Sequence, residues 1–353
     1  MRLQLILLLA LGHAAHAQVR DEETGAGDVQ ATFGLYADDD RTQVVTTDVA
    51  GKVKLPAPIV IEALALVDAV TSASVDVISA ATTRFSEQRV ELGSRAQLGI
   101  TQGTEATLGY THSGENDWQS HAVELGLSRE LAHKNARVTL SYGFTRNDVG
   151  RAHDPTFEKL LDVQGAQLGI SQVLGKKTLA TLAYTFSYAS GYQGSPYRFI
   201  TTAGGFAAPE SPPETRARHA LTARVLHTIG TANVIDAQYR IYLDDWGVLS
   251  HTGEVAYARE LSTAWSLRVR GRGYHQRHAA FYRETYAMPM RYMTVDRELA
   301  TFTDVMAGLK LGWTGETFAV EAKTDAILYE FADYARLKGR VAVVTGLGAT
   351  WRW

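Results

Sequence analysis

The sequence predicts an all-β protein, a transmembrane up-and-down antiparallel β-barrel of about sixteen strands. Three observations predict it. Apolar residues alternate with small or polar ones along most of the chain. The alternating segments run to about 11–14 residues, whereas strands of soluble proteins usually have about five or six and a tilted strand needs roughly 9–11 to cross hydrocarbon. Short turns also alternate with long polar loops, as the two rims of such a barrel require.

Residues 1–17 hold Arg2, an apolar run from Leu3 to Leu11, and small residues at Ala15 and Ala17. That is the pattern of an export signal cut between Ala17 and Gln18. The run is too short for a membrane helix, which needs about 18 apolar residues. Residues 18–27 form a polar lead, and 28–353 are assigned to the barrel.

Strands are expected at 28–37, 43–55, 59–71, 85–100, 104–113, 119–131, 136–147, 162–174, 178–190, 214–229, 232–243, 249–261, 264–277, 301–313, 317–330 and 340–353. The period is plain where Val138, Leu140, Tyr142 and Phe144 alternate with Thr139, Ser141 and Gly143. Successive side chains of a strand point to opposite faces, so such a segment has one apolar and one wet face. The start is less regular. Residues 43–55 alternate poorly, 59–81 are apolar on both faces, and the later part of that stretch, Thr71–Ala81, reads as a short helix or an inward loop. Fourteen strands after an irregular start is the alternative.

The turns at 101–103, 133–134, 175–177, 230–231, 262–263 and 314–316 are tight, and 148–161, 191–213, 278–300 and 331–339 are long. Two links on the long side, 114–118 and 244–248, stay short. Loop 191–213, with Pro209, Pro212 and Pro213, has the length to fold inward as a constriction or to cover the mouth as a lid. Tyr110, Tyr142, Tyr188, Tyr239, Trp265, Trp313, Trp351 and Trp353 gather towards strand ends, where amphipathic rings favour the headgroup level. Trp351 and Trp353, with apolar residues at every second position before them, resemble the terminal aromatic signal read by barrel-insertion machinery. That machinery and the lipid bilayer are the expected partners; an ordinary aromatic strand end is the other reading.

Composition removes several functions. With 35 Lys+Arg against 38 Asp+Glu and a net charge of −3, nucleic-acid binding has no electrostatic footprint. The absence of cysteine removes disulfides, thiolate zinc sites and cysteine catalysis. No phosphate-cradling glycine loop or zinc spacing occurs, so neither a cofactor nor a metal is expected. Oligomeric state is not encoded in any feature of the chain.

Turning the apolar faces outward fixes the interior. Arg218, Arg224, Asp236, Gln238, Arg240, Glu254, Glu260, Arg268, Arg270, Arg272, Asp304, Lys310, Glu321, Lys323 and Asp325 then point inward, as do Arg89, Glu91 and Arg95. Strands within 104–190 offer mostly Gly, Ser and Thr. An Arg or Lys facing lipid at mid-depth costs roughly 2–4 kcal/mol, so this placement is required by the membrane. The charged positions are pore-lining candidates. Opposed Arg and carboxylate groups would set a transverse field for small polar or charged solutes, as in a porin-like channel. A salt-bridged filling would instead give a non-conducting structural or docking barrel.

The hairpins from Tyr110 to His121 and from Tyr239 to His251 both carry Asp-Trp followed by Ser-His. Rim carboxylates beside a histidine suit acid–base hydrolysis or a divalent cation. Asp and Asn also make tight turns, and Trp marks interfaces. The second account is preferred; no catalytic residue is assigned and no enzyme is expected.

Several short motifs occur together: Tyr36-Ala-Asp-Asp-Asp-Arg-Thr-Gln-Val-Val-Thr46, Ala73-Ser-Val-Asp-Val-Ile-Ser79, Phe85-Ser-Glu-Gln-Arg89, Glu115-Asn-Asp-Trp118, Ser171-Gln-Val-Leu174, Gly191-Tyr-Gln-Gly-Ser-Pro-Tyr-Arg198 and Tyr242-Leu-Asp-Asp-Trp246. In these the chain resembles family 3570 of the domains of unknown function, exported bacterial proteins predicted to be outer-membrane barrels. The resemblance spans nearly the whole mature chain and implies a barrel in the bacterial outer membrane. It carries over no catalytic residue, substrate or cofactor.

Overall fold

A computed structural model describes residues 26–72, 74 and 85–353. The expected export signal, most of the lead and most of Thr71–Ala81 lie outside the described residues. Sixteen antiparallel strands close into one barrel. In chain order they are β1 (Gly27–Asp38), β2 (Thr42–Lys54), β3 (Ile59–Ser72), β4 (Phe85–Thr101), β5 (Thr104–Gly114), β6 (Trp118–Leu131), β7 (Ala136–Val149), β8 (Lys159–Gly175) and β9 (Thr178–Gly191). After a two-stranded loop hairpin, β10 (Phe199–Thr201) and β11 (Ala207–Pro209), come β12 (Thr215–Ile229), β13 (Asn233–Asp244), β14 (Leu249–Glu260), β15 (Trp265–Gln276), β16 (Phe302–Thr314), β17 (Phe318–Phe331) and β18 (Gly339–Arg352). Each barrel strand pairs with its neighbour in sequence, and β18 closes on β1 from Asp28↔Arg352 to Asp38↔Ala342. Closure leaves no edge strand, so every ladder can be completed within the wall.

The alternation dictates which face is outside. Leu92, Leu125, Leu140, Val255 and Leu347 are each more than half exposed, at 53%, 51%, 53%, 57% and 59%. Their sequence neighbours face the interior, and registers carry the division from strand to strand, as in Glu124↔Gly143↔Gly165↔Ser187↔Arg218. A soluble sandwich would have buried those leucines; here they form the band that meets acyl chains.

The irregular start does form strands, so sixteen stands and fourteen does not. Inward Leu64 and Leu66, the latter 5% exposed, explain the doubly apolar pattern of β3. The largest shift in a strand start is at β8, which begins at Lys159 instead of 162. Leu160 faces out while Leu161 is fully buried against Val149 and Ala189, so two adjacent leucines continue the strand without looking alternate. With strands spaced about 4.8 Å apart and tilted about 40°, sixteen of them enclose a wall roughly 30 Å across.

Candidate functional site: the lumen and its mouth

All thirteen charged pore-lining candidates occupy inward registers: Arg218, Arg224, Asp236, Arg240, Glu254, Glu260, Arg268, Arg270, Arg272, Lys310, Glu321, Lys323 and Asp325. The structure joins many of them into one band along the wall. Arg224 holds Asp236 bidentately at 2.8 Å through both Nε and Nη2, and Arg268 adds a third hydrogen bond to Asp236 at 3.0 Å. Arg270 reaches Asp325 at 3.0 and 2.8 Å, Arg272 reaches Asp304 at 2.8 Å, and Lys310 pairs with Glu321. Glu254 lies 3.8 Å from both Arg268 and Arg270. Paired, bidentate geometry is what makes charge tolerable at this depth.

One reach across a whole strand depends on a glycine. Arg270, Gly308 and Asp325 share a row across β15, β16 and β17. A Cβ at Gly308 would stand 2.0 Å from Asp325 Oδ1 and 2.9 Å from Arg270 Cγ. The missing side chain lets the guanidinium cross a whole strand to its carboxylate.

These pairs run around the wall and none crosses the lumen. Among the described residues, every ion pair between strands joins strands no more than two apart, including Arg89–Asp68 at 2.9 Å, Arg95–Glu124 at 2.6 Å and Arg137–Glu105. Arg268 and Arg270 keep a third of their side-chain surface exposed, at 33% each. Arg218, Arg240 and Lys323 have no carboxylate partner within salt-bridge distance among the described residues; Arg240 lies 5.5 Å from the Tyr242 ring centroid instead.

The charges are also unequally distributed. On β12–β18 the inward positions hold eleven cations (Arg216, Arg218, Arg224, Arg240, Arg268, Arg270, Arg272, Lys310, Lys323, Arg340 and Arg352) and seven anions (Asp236, Asp244, Glu254, Glu260, Asp304, Glu321 and Asp325). On β1–β8 they hold six cations (Lys52, Lys54, Arg89, Arg95, Arg137 and Lys159) and ten anions (Asp28, Asp38, Asp48, Glu62, Asp68, Glu87, Glu91, Glu105, Glu124 and Glu130). One wall is therefore net positive by four and the facing wall net negative by four. β15, which carries the Arg268–Arg270–Arg272 ladder, stands opposite β5 in the strand order. There Thr107, Gly109, Thr111 and Ser113 present small inward side chains.

The mouth is covered by loops. Trp246, Val248, Ala279, Tyr282, Leu299, Phe302, Phe331 and Tyr334 form a buried apolar cluster, and Ile200, Tyr286, Met293 and Val295 form a second. A short 3-10 turn, Arg297–Leu299, sits where β15 returns to β16. Arg297 is fully buried and pairs with Asp40 of the β1–β2 turn. Inward-facing Gln276 donates to the carbonyls of Glu298 and Ala300 at 2.9 and 2.8 Å, and Arg340 lies 3.9 Å from Glu298. Arg198 binds both Glu210, at 3.0 Å, and Asp296, at 3.0 Å. Tyr197 accepts from Ala152 N–H at 2.7 Å and donates to Asp117. A chain of polar contacts thus crosses the mouth from Asp40 to Asp117. Arg198 and the Glu298 N–H each donate to the Asp296 carboxylate at 3.0 Å and favour its charged form.

The sequence leaves loop 191–213 as either a constriction or a lid. It supplies the outer part of this cap, but the 3-10 turn of the 277–301 loop is what packs against the inward Gln276 and Arg340. Arg340 was legible as an alternating position of the last strand. Arg297 was not, because a loop has no period to assign its side.

The Ser-His hairpins do not assemble a dyad. Ser120 and Ser250 face inward, while His121 and His251 face out and bond Tyr110 at 2.8 Å and Tyr239 at 2.6 Å. Carboxylate oxygens of Glu87, Glu115 and Asp117 come within 4.8 Å of one another at the β5–β6 rim. Trp351 and Trp353 stack with ring centroids 5.0 Å apart, and the Trp353 carbonyl accepts from Ala26 N–H at 2.7 Å, beside the barrel seam.

The fold is that of outer-membrane barrels. A bacterial polysaccharide outer membrane secretin superposes with a TM-score of 0.57 at 7% identity, covering 94% of this chain and 100% of that one. CdiB from Acinetobacter baumannii gives 0.53 at 8%, covering 92% and 60%. The siderophore receptor PirA from Pseudomonas aeruginosa gives 0.49 at 10%, covering 92% of this chain; the present chain spans 61% of that receptor's length. No curated protein matches the sequence. A family model described as "Protein of unknown function (DUF3570)" matches residues 79–349, most of the chain, and the protein belongs to that family.

Proposed function

We propose that this protein is a porin-like channel of the bacterial outer membrane, without enzymatic activity, that passes small polar or charged solutes. The observation that carries the proposal is the opposition of a net positive wall on β12–β18 to a net negative wall on β1–β8, with ion pairs confined to the wall. A transverse field across a water-filled lumen orients dipolar solutes and excludes apolar ones. Sixteen strands are enough to leave an aqueous passage. The loop cap favours a second reading, a barrel shut at its outer mouth. Conductance of the folded protein in planar bilayers separates the two: discrete steps are expected, with a reversal potential that moves towards cation preference when Arg268 and Arg270 are both replaced by Gln. Absence of steps from protein that migrates as a folded barrel would overturn the channel.

A further inference from the structure

The lipid-facing surface carries a recurring polar device at the extracellular end of the strands. Three tyrosines each bond the Nδ1 of a histidine on the next strand, two residues nearer the rim. The pairs are Tyr110–His121 at 2.8 Å, Tyr184–His219 at 2.7 Å and Tyr239–His251 at 2.6 Å. All six residues occupy outward registers. In the tautomer in which the tyrosine hydroxyl donates to Nδ1, the proton is on Nε2 and the imidazole presents an N–H to the headgroup layer.

The device is most developed on β14 and β15. His251 and His275 are directly opposite each other in register. Thr303 holds His275 through Nδ1 at 3.0 Å, as Tyr239 holds His251. The next outward position, one residue past the end of β15, is Arg277, which is exposed, and whose backbone N–H donates to the Leu249 carbonyl at 3.0 Å. His251 and His275 are thus cross-strand neighbours on the outward face, and Arg277 follows one outward position nearer the rim. Below them the wall is flat: outward Gly253 and Gly273 are also directly paired, and a Cβ at either would meet nothing within 4 Å. Two nearby carboxylates are directed elsewhere or stand apart: Asp245 accepts from the Ala217 N–H of β12, and Glu330 sits two strands along from His275.

We propose that His251, His275 and Arg277 bind the phosphorylated headgroup of an outer-leaflet glycolipid, with an acyl chain lying over Gly253 and Gly273. Charge decides the ligand. Three cationic or N–H-donating groups at headgroup depth match phosphate oxygens, and a guanidinium with two imidazoles makes charge-assisted bonds that a neutral sugar cannot reciprocate. Position decides the leaflet, because the long loops mark this rim as the outer one.

The test is native mass spectrometry of the full barrel, released from micelles supplemented with lipid A, a diphosphorylated glucosamine lipid. Wild type is expected to retain lipid A at least about tenfold better than the His251→Gln, His275→Gln, Arg277→Gln variant, and at least about tenfold better than dephosphorylated lipid A. Equal retention of lipid A by the variant, equal retention of the dephosphorylated lipid by wild type, or equal retention of phosphatidylglycerol would each overturn the proposal. The comparisons made on wild type alone keep the test decisive if the variant folds poorly. None depends on whether the lumen conducts.

Discussion

Arg297 is the residue that ties the loop cap to the β1–β2 turn. Its side chain is fully buried, its partner Asp40 is 7% exposed, and the second carboxylate near it, Glu298, is 3.7 Å away. Replacing Arg297 by Met removes a charged partner from a buried carboxylate, a loss of about 3–5 kcal/mol. The barrel ladders do not pass through this pair, so the loss falls on the cap. At roughly 1.4 kcal/mol per power of ten, the cap's opening constant rises about 100-fold to 4,000-fold. Amide hydrogen exchange reads that directly. The amides to follow are Leu299, which donates to Asp296 O at 2.9 Å, Ala300, which donates to Arg297 O at 3.1 Å, and Ala279, which donates to Leu299 O at 2.9 Å. Their exchange should accelerate by that factor while amides of β5–β8 are unchanged. Adding Asp40→Asn should recover a large part of the protection, because it removes the stranded charge. Exchange of the three amides within a few-fold of wild type in Arg297→Met would refute the claim that this pair holds the cap.

Gly308→Val places a side chain where Asp325 and Arg270 meet, and overpacking of this kind costs about 1–3 kcal/mol before the lost pair is counted; urea unfolding in lipid vesicles should show a lower midpoint. Leu125→Arg puts a charge on the acyl-facing side and should cost about 2–4 kcal/mol, whereas Ser141→Arg, on the inward side one strand over, should leave the unfolding midpoint nearly unchanged; the reverse ranking would mean that the two faces are exchanged. Arg198 and the Glu298 N–H hold Asp296 in its charged form, so its contribution is present above the unfolded value of about 3.9 and is lost as pH falls below it. Protection of the 277–301 amides should therefore hold from neutral pH down to about 4 and weaken only in stronger acid.

Period-two patterning is a local property, and it carried most of the fold. It needs only that adjacent side chains leave a strand on opposite sides, so Val138–Phe144 declared their faces before any partner strand was known. The same rule put Arg268, Arg270 and Arg272 inside, since a membrane does not tolerate three arginines on its own side of the wall. It failed at Lys159–Leu161, where both faces happen to be apolar, and it was silent in the loops. Tertiary structure alone decided which carboxylate each arginine meets. Arg270 finds Asp325 two strands away only because the register aligns both with Gly308, and register depends on how sixteen strands close on one another. It also decided the mouth: Arg297 and Asp40 are far apart in the chain and share no motif, and they meet because the loop from β15 folds back across an opening that exists only once the barrel is shut.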